Sequence, residues 1–333
     1  MQRDGGYVRW VKLDKKKPGT LGPVSTEITG YAAHLYAWLF SVMRSDDLRR
    51  AGSAAGDYLV ACWNRDGRLY CEPEAEEKLL FFFDNGIAAR GLYSAGRALN
   101  RTDFWDVSCC IAAQMRCFKT GFGIYDPILA ADFSTQTDPK EWWSTRPGAY
   151  QKKAALVWRL VGSAGEIYDL DAAWWFAEPQ PAPGPPPKNG DAAEVAAYQQ
   201  AVHVLADSLH PWAYHCEALW MTERSSGDRF AKAFAELERR FDYGKVHRAD
   251  VLAQLLRLHI LQGDRGTPVS MVADLLELQH ESGGFHFKRT GGKLSDDLSV
   301  HATIFAAQAL ALVLYPEAAK FPGPLKQRDM MIV

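Results

Sequence analysis

Apolar positions recur at helical spacing along most of the chain. From Thr26 to Met43, Ile28, Ala32, Leu35, Leu39 and Val42 share one face, with Ser25 or Thr26 placed to cap it. The same pattern predicts helices over residues 46–62, 81–99 and 103–118, the first closed by the turn Asn64-Arg-Asp-Gly67. Residues 125–147 read as a long loop holding Trp142 and Trp143, followed by helices over 149–161 and 167–176. Further helices are predicted at 191–209, 211–221, 228–241, 247–261, 267–279 and 298–314, and strand signals are scarce. Two helix types alternate. Those starting near Glu27, Asp84, Ala149, Pro211, His247 and Leu298 are apolar apart from one polar stripe; those near Asp46, Asp103, Asp191, Asp228 and Thr267 carry a charged face. An apolar helix is enclosed and an amphipathic one faces water. Enclosed helices alternating with outer ones predict an all-α chain, an α/α toroid of about six helical hairpins.

Composition adds a large core: 47% of the 333 residues are hydrophobic and 23% charged. Residues 179–190 are proline-rich, cannot be helical and read as an exposed excursion. Because the helical pattern resumes unchanged after them, they are expected to be an insertion in a single domain spanning 1–333. The formal net charge of -2 argues against a nucleic-acid partner. The one basic run, Lys15 to Lys17, is short, precedes Pro18 and Gly19, and reads as a solvated loop. No apolar run is long enough to span a bilayer, and the N-terminus lacks the basic-then-apolar layout of a secretory signal. The six cysteines show no metal-knuckle spacing and read as reduced core thiols, which suits a cytoplasmic protein.

A turn motif repeats where outer helices end. Gln2-Arg-Asp-Gly-Gly-Tyr7 and Gln279-His-Glu-Ser-Gly-Gly-Phe285 are the fuller copies; Asn64-Arg-Asp-Gly-Arg-Leu-Tyr70 and Gly121-Phe-Gly-Ile-Tyr125 are weaker ones. Glycine supplies the turn and the aromatic tucks under the next hairpin. The outer helix expected before Gln2 is missing, so an apolar strip should lie bare along 26–43 or 298–314, inviting a dimer contact or a partner helix. The Gln-x-x-x-Gly-Gly-aromatic copies resemble the repeat of the prenyltransferase and squalene-cyclase toroids. The hairpin alternation resembles the six-hairpin glycosidase superfamily, with its unsaturated-uronyl hydrolases and the related sugar epimerases and polysaccharide lyases. Thr26-Glu-Ile-Thr-Gly-Tyr31, Asp84-Asn-Gly86 with Arg90-Gly-Leu92, His210-Pro-Trp-Ala-Tyr214 and Arg248-Ala-Asp-Val-Leu-Ala-Gln254 are similar to stretches of toroid proteins from bacterial polysaccharide clusters.

The chemistry is expected at the inner-helix starts. If those helices run parallel, Glu27, Asp84 with Asn85, Tyr150 with Lys152, His210, Arg248 with Asp250, and Asp297 with His301 gather at one mouth, where helix N-termini favour anions. Polar stripes continue inward as Glu27–Tyr31–His34, His210–Tyr214–Glu217, Asp250–Gln254–Arg257 and Asp297–His301–Gln308. Helix capping would account for Asp84 or Asp297 singly, but not for Tyr31, Tyr214, Gln254 or Arg257 deeper in. Candidate catalytic residues are therefore Glu27, Asp84, His210, Asp250 and Asp297. Candidate substrate contacts are Tyr31, Asn85, Trp142, Trp143, Trp212, Tyr214, Arg248, Gln254 and His301. Paired carboxylates would suit glycosidic cleavage; His210 with Tyr214 would suit a lyase or epimerase, an arginine holding the developing anion. Asp297 and His301 could give two metal ligands, but no full zinc set is legible, so neither metal nor cofactor is expected. The leading expectation is a carbohydrate-active enzyme, a hydrolase, lyase or epimerase acting on a polysaccharide or uronic-acid sugar. The alternatives are a non-catalytic glycan-binding or scaffold protein and a terpene- or prenyl-processing toroid.

Overall fold

A computed structural model describes residues 2–14, 17–120, 125–136, 143–162, 191–222, 228–243, 246–264 and 268–319. Its helices are α1 (Thr26–Met43), α2 (Asp46–Asp66), α3 (Phe82–Leu99), α4 (Thr102–Gln114), α5 (Gln151–Ala155), α6 (Val157–Leu160), α7 (Ala192–Thr222), α8 (Asp228–Tyr243), α9 (Ala249–Gln262), α10 (Pro268–Leu276) and α11 (Val300–Leu314). The apolar helices form a closed ring: α1 packs on α3, α3 on α5, α5 on α7, α7 on α9, α9 on α11, and α11 back on α1. The amphipathic helices lie outside it, α2 against α1 and α3, α4 against α3, α8 against α7, and α10 against α9. Burial follows the two helix types: every residue of α9 from Ala249 to His259 is buried, whereas α8 exposes a charged face.

The tightest contact in the ring joins α1 to α3. A methyl group on Gly91 would stand 2.2 Å from the carbonyl oxygen of Gly30, and one on Gly30 would stand 2.6 Å from the Cα of Ala88. Both obstacles are backbone, which cannot swing aside as a side chain can. Gly91→Ala should therefore destabilise the protein by about 1–3 kcal/mol or more through overpacking. Denaturant unfolding measures this, and an unchanged midpoint would refute the close approach.

Short strands enter four of the inner helices, where the sequence pattern indicated only turns. Val24–Ser25 leads into α1, Leu79–Phe81 into α3, Val246–Arg248 into α9 and Asp297–Ser299 into α11. Asp297–Ser299 pairs antiparallel with both Trp10–Asp14 and Phe285–His286, while Leu79–Phe81 pairs with Ile128–Ala130. The repeated turn motifs build these ribbons. Gly5 and Gly283 take left-handed backbone angles, φ 94° and 85°, and the aromatics Tyr7, Tyr70, Tyr125 and Phe285 are all buried.

Several expectations need correction. Residues 191–209 and 211–221 are not two helices but one, α7, with Pro211 inside it. Proline removes one helical hydrogen bond. The apolar residues after it still bury in the ring, while the first turns project as an exposed extension. The helix expected over 149–161 is split into α5 and α6 at Leu156. Asp84 is not a cap: it lies inside the first turn of α3, whose N-cap is Phe81. Asp297 precedes α11 in a strand, and Ser299 caps that helix by accepting from the Ala302 N–H. Cys110 and Cys117 are exposed rather than core residues; all six thiols are free. No bare apolar strip runs along α1 or α11. Among the described residues their exposed large apolar side chains are Met43, Val313 and Leu314, all at C-terminal ends, because the N-terminal ribbon and the flanking helices cover the rest. The helix expected over 167–176, the proline-rich run and Trp142 lie outside the described residues. No described helix is long and apolar enough to cross a membrane.

Candidate active site

Closing the ring brings the first turns of α1, α9 and α11 to one cavity of about 590 Å³. α1 contributes Glu27 and Ile28, α9 Asp250 with the preceding Arg248, and α11 His301. α7 reaches the cavity through Asp207 and His210, next to its internal proline, and Arg9, Ser144 and Phe287 complete the wall from the connecting segments.

Two histidines face each other across this wall, their ring centroids 4.8 Å apart. His210 Nδ1 lies 2.8 Å from Gln254 Oε1 and 3.4 Å from Asp250 Oδ2. Both partners are acceptors, so Nδ1 carries the proton and a neutral ring holds its lone pair on Nε2. His301 Nε2 lies 2.9 Å from Tyr214 Oη, and Tyr31 Oη donates to Tyr214 Oη at 2.7 Å. In that chain Tyr214 donates to His301 Nε2, which leaves the proton of a neutral His301 on Nδ1. The two rings thus present complementary tautomers, one basic nitrogen and one N–H. Burial pushes His210 down to about 4, against the opposing pull of Asp250, and pushes His301 well below the ordinary histidine range, helped by His210 beside it. Both are neutral at pH 7.

Asp250 fixes the arrangement. Arg248 donates to both its oxygens, Nε to Oδ1 at 3.1 Å and Nη2 to Oδ2 at 2.7 Å, and the Val251 N–H donates to Oδ1 at 2.9 Å. Burial alone would raise this carboxyl; Arg248 and His210 outweigh it and hold it well below the usual range. A donor atom from each of His210, Asp250 and His301 lies within 4.8 Å of the others, a spacing a divalent ion could use. The Arg248 fork already occupies Asp250 and sets a positive charge at the same point, which favours proton chemistry over a cation.

Behind the histidines lies a buried charged floor. Lys153 Nζ donates to Glu217 Oε2 at 2.6 Å, Arg257 Nη2 donates to Glu217 Oε1, and Arg257 Nη1 donates to Gln308 Oε1 at 2.9 Å. The Lys153 ammonium also sits 4.3 Å from the ring centre of Tyr214. Burial lowers Lys153 and works to raise Glu217, but Arg257 and Lys153 hold Glu217 below its ordinary value.

A second cluster gathers on Arg9. Its Nε donates to Glu72 Oε1 at 3.0 Å, its Nη1 to Glu27 Oε2 at 3.4 Å and its Nη2 to Cys71 Sγ at 2.8 Å, with Asp84 Oδ2 at 3.6 Å. Burial raises Glu27 and Asp84 above the usual carboxylate range, against the pull of Arg9.

Of the sequence candidates, Glu27, His210, Arg248, Asp250 and His301 line the cavity, and Tyr31, Tyr214 and Gln254 support the histidines from below. Asp84 lies behind Glu27 on Arg9. Asn85 serves the backbone, donating to the carbonyls of Leu69 and Phe81. Trp212 turns away from the cavity and donates to the Ala233 carbonyl on α8. Asp297 sits in its strand, outside the cavity wall. Trp143 belongs to a short 3-10 turn, with its side chain outside the description. Sequence reasoning missed Arg9, Asp207, Phe287 and Lys153. Arg9 follows a repeated turn motif, which was the one available signal; Lys153 stands beside Lys152 with nothing in the local pattern to separate them.

Three neutral histidines, His210 and His215 buried and His301 half-buried, make acid stability a test of this site. Burial lowers His215 to about 4, as it does His210, and lowers His301 as well, whereas unfolded histidines titrate near ~6.5. Between those values the unfolded chain binds protons that the folded chain refuses. The stabilisation is thus complete above about pH 6.5 and drains away as the pH falls toward about 4. Unfolding midpoints should fall steadily across that window, and a flat profile would show these rings to be solvated.

No family model matches the chain, and neither does any curated protein by sequence. Solved structures do match by shape. Cellobiose 2-epimerase from Bacillus thermoamylovorans B4167 superposes with a TM-score of 0.64 at 11% identity, over 92% of this chain and 92% of that one. A sugar epimerase from a ruminal bacterium gives 0.56 at 10% identity over 93% of each chain. The chain folds as an α/α toroid. A D-mannose isomerase shares that fold, with a TM-score of 0.54 at 10% identity over 95% of this toroid and 93% of its own chain. At such identities the likeness is one of fold, since toroids host many chemistries.

Proposed function

We propose that this toroid is a carbohydrate-active enzyme, an epimerase or isomerase that moves the proton on C2 of an aldose. The observation that carries the proposal is the His210–His301 pair in the cavity wall. In an open-chain aldose the C2 hydrogen is acidified by the C1 carbonyl. His210 Nε2 takes it, and the resulting enediolate is stabilised by the Arg248 guanidinium lining the same cavity. His301, from the other side, returns a proton through Nδ1. Return to C2 on the opposite face gives the 2-epimer; return to C1, after a hydroxyl proton has shifted, gives the ketose. That the fold is shared with two sugar epimerases and a mannose isomerase agrees with this reading.

Hydrolysis by paired carboxylates is less well supported. Asp84 is only 1% exposed and stands outside the cavity wall, and Asp250, which lines the wall with Glu27, has both oxygens held by Arg248, so neither is placed to act with Glu27 on a glycosidic linkage. The deciding experiment incubates the protein in heavy water with aldohexoses, β-1,4-linked disaccharides and uronic acids, and follows the C2 hydrogen by NMR. Exchange at C2 with formation of an epimer or ketose is expected. Cleavage without exchange would replace this reading with hydrolysis, and binding without either would leave a glycan-binding protein.

A further inference from the structure

Arg9 is asked to neutralise three carboxylates. Glu27, Glu72 and Asp84 stand 3.4, 3.0 and 3.6 Å from its nitrogens. Glu27 and Asp84 are 6% and 1% exposed, and Asp84 Oδ2 has no hydrogen-bond partner among the described residues. Were all three ionised, the cluster would carry two uncompensated negative charges, largely shut away from water. One proton shared by the two buried acids halves that excess, as between other closely placed buried carboxyls. The other groups facing the pair are the Cys71 thiol and the Tyr31 hydroxyl, neutral in their ordinary forms, and the more distant Lys153 ammonium, whose charge is matched by Glu217. Of the two acids only Glu27 reaches the cavity, on the first turn of α1.

We infer that Glu27 is the acid that opens the sugar ring, holding a proton shared with Asp84 and delivering it to the ring oxygen. This role rests on the epimerase reading, because C2 becomes acidic only once the cyclic hemiacetal has opened. The step balances within the sugar and solvent. The Glu27 carboxyl gives its proton to O5 as the C1–O5 bond breaks, the O1–H electron pair becomes the C1 carbonyl bond, and the O1 proton passes to water. Ring closure after epimerisation reverses each movement and returns the proton to Glu27. Asp84 acts through Glu27 as a positioning residue.

The test uses Glu27→Gln in the full chain, an isosteric change, with circular dichroism as the check on folding. Infrared spectroscopy near neutral pH should show a protonated-carboxyl band in the unaltered protein that Glu27→Gln lacks. NMR exchange between the α and β anomers of an aldohexose should be accelerated by the unaltered protein and slowed by about 10²-fold in the variant, the usual loss for one general acid. C2 exchange on the cyclic sugar should fall in step. C2 exchange on glyceraldehyde, too short to close a ring, should stay within about twofold, a split that a merely structural Glu27 would not produce. Full-speed anomer exchange in the variant, a carboxyl band that survives it, or equal losses on both substrates would overturn the assignment. If the unaltered protein catalyses no C2 exchange on any sugar, the epimerase reading fails. Anomer exchange and the infrared band would still decide whether Glu27 is an acid.

Discussion

Replacing His210 with alanine should lower C2 hydrogen exchange by about 10²–10⁴-fold, the range for loss of a positioned general base. Its lone pair lies on Nε2 because Gln254 and Asp250 both draw the Nδ1 proton, and burial keeps the ring neutral down to about pH 4. His301→Ala should give a different result. It removes the group that returns a proton to the other side of C2, so net epimer formation should collapse while some exchange into the original sugar persists. Parallel NMR time courses of deuterium content and product separate the two outcomes. The pH profile adds a third readout. Activity should hold as the pH falls through the ordinary histidine range, and decline only near about pH 4 or where the protein unfolds. Equal retention of product formation in both variants would remove the histidines from the chemistry.

Glu217→Gln should be among the most destabilising changes in the chain. It leaves Lys153 and Arg257 fully buried without the carboxylate that now holds both. Breaking a buried ion pair from one side costs about 3–5 kcal/mol, because the partner's desolvation is no longer offset. Here two cations lose their shared carboxylate, and Arg90, also buried and lowered to about 10, adds a third positive charge nearby. A chemical-denaturation midpoint measures the loss. Replacing Lys153, Glu217 and Arg257 together with Met, Leu and Met should recover much of it, since apolar substitution of a whole buried ionic group is often near neutral. A Glu217→Gln loss below about 1 kcal/mol would mean that water reaches the floor of the ring.

Pro211 shows where local reasoning fails. Read alone it starts a helix, since a first-turn proline wastes no hydrogen bond. In the fold it lies within α7, because the apolar residues on its C-terminal side are held by the ring whether or not one bond is missing. Asp84 and Asp297 illustrate the same limit. Both read as caps from composition, but the short strands before α3 and α11 pass the capping positions to Phe81 and Ser299. Strands of two or three residues leave too little periodicity to detect.

What the sequence by itself determined is the architecture. Helical spacing and the alternation of enclosed with amphipathic helices are local properties, set by which faces must leave water, and they suffice for a ring within a ring. The polar stripes also told which turns face inward, and so placed Glu27, His210, Arg248, Asp250 and His301 among the candidates. Only the tertiary structure decided which of these groups meet. His210 and Trp212 are two positions apart on one helix, yet one enters the cavity and the other packs outward on α8. Lys152 and Lys153 are adjacent, and it is Lys153 that bonds to Glu217. Arg9, from the N-terminal ribbon, becomes the shared partner of Glu27 and Asp84. Such meetings depend on how far each helix is rotated about its axis and on the closure of α11 against α1. Those are set by packing among segments distant in sequence, and no local pattern encodes them.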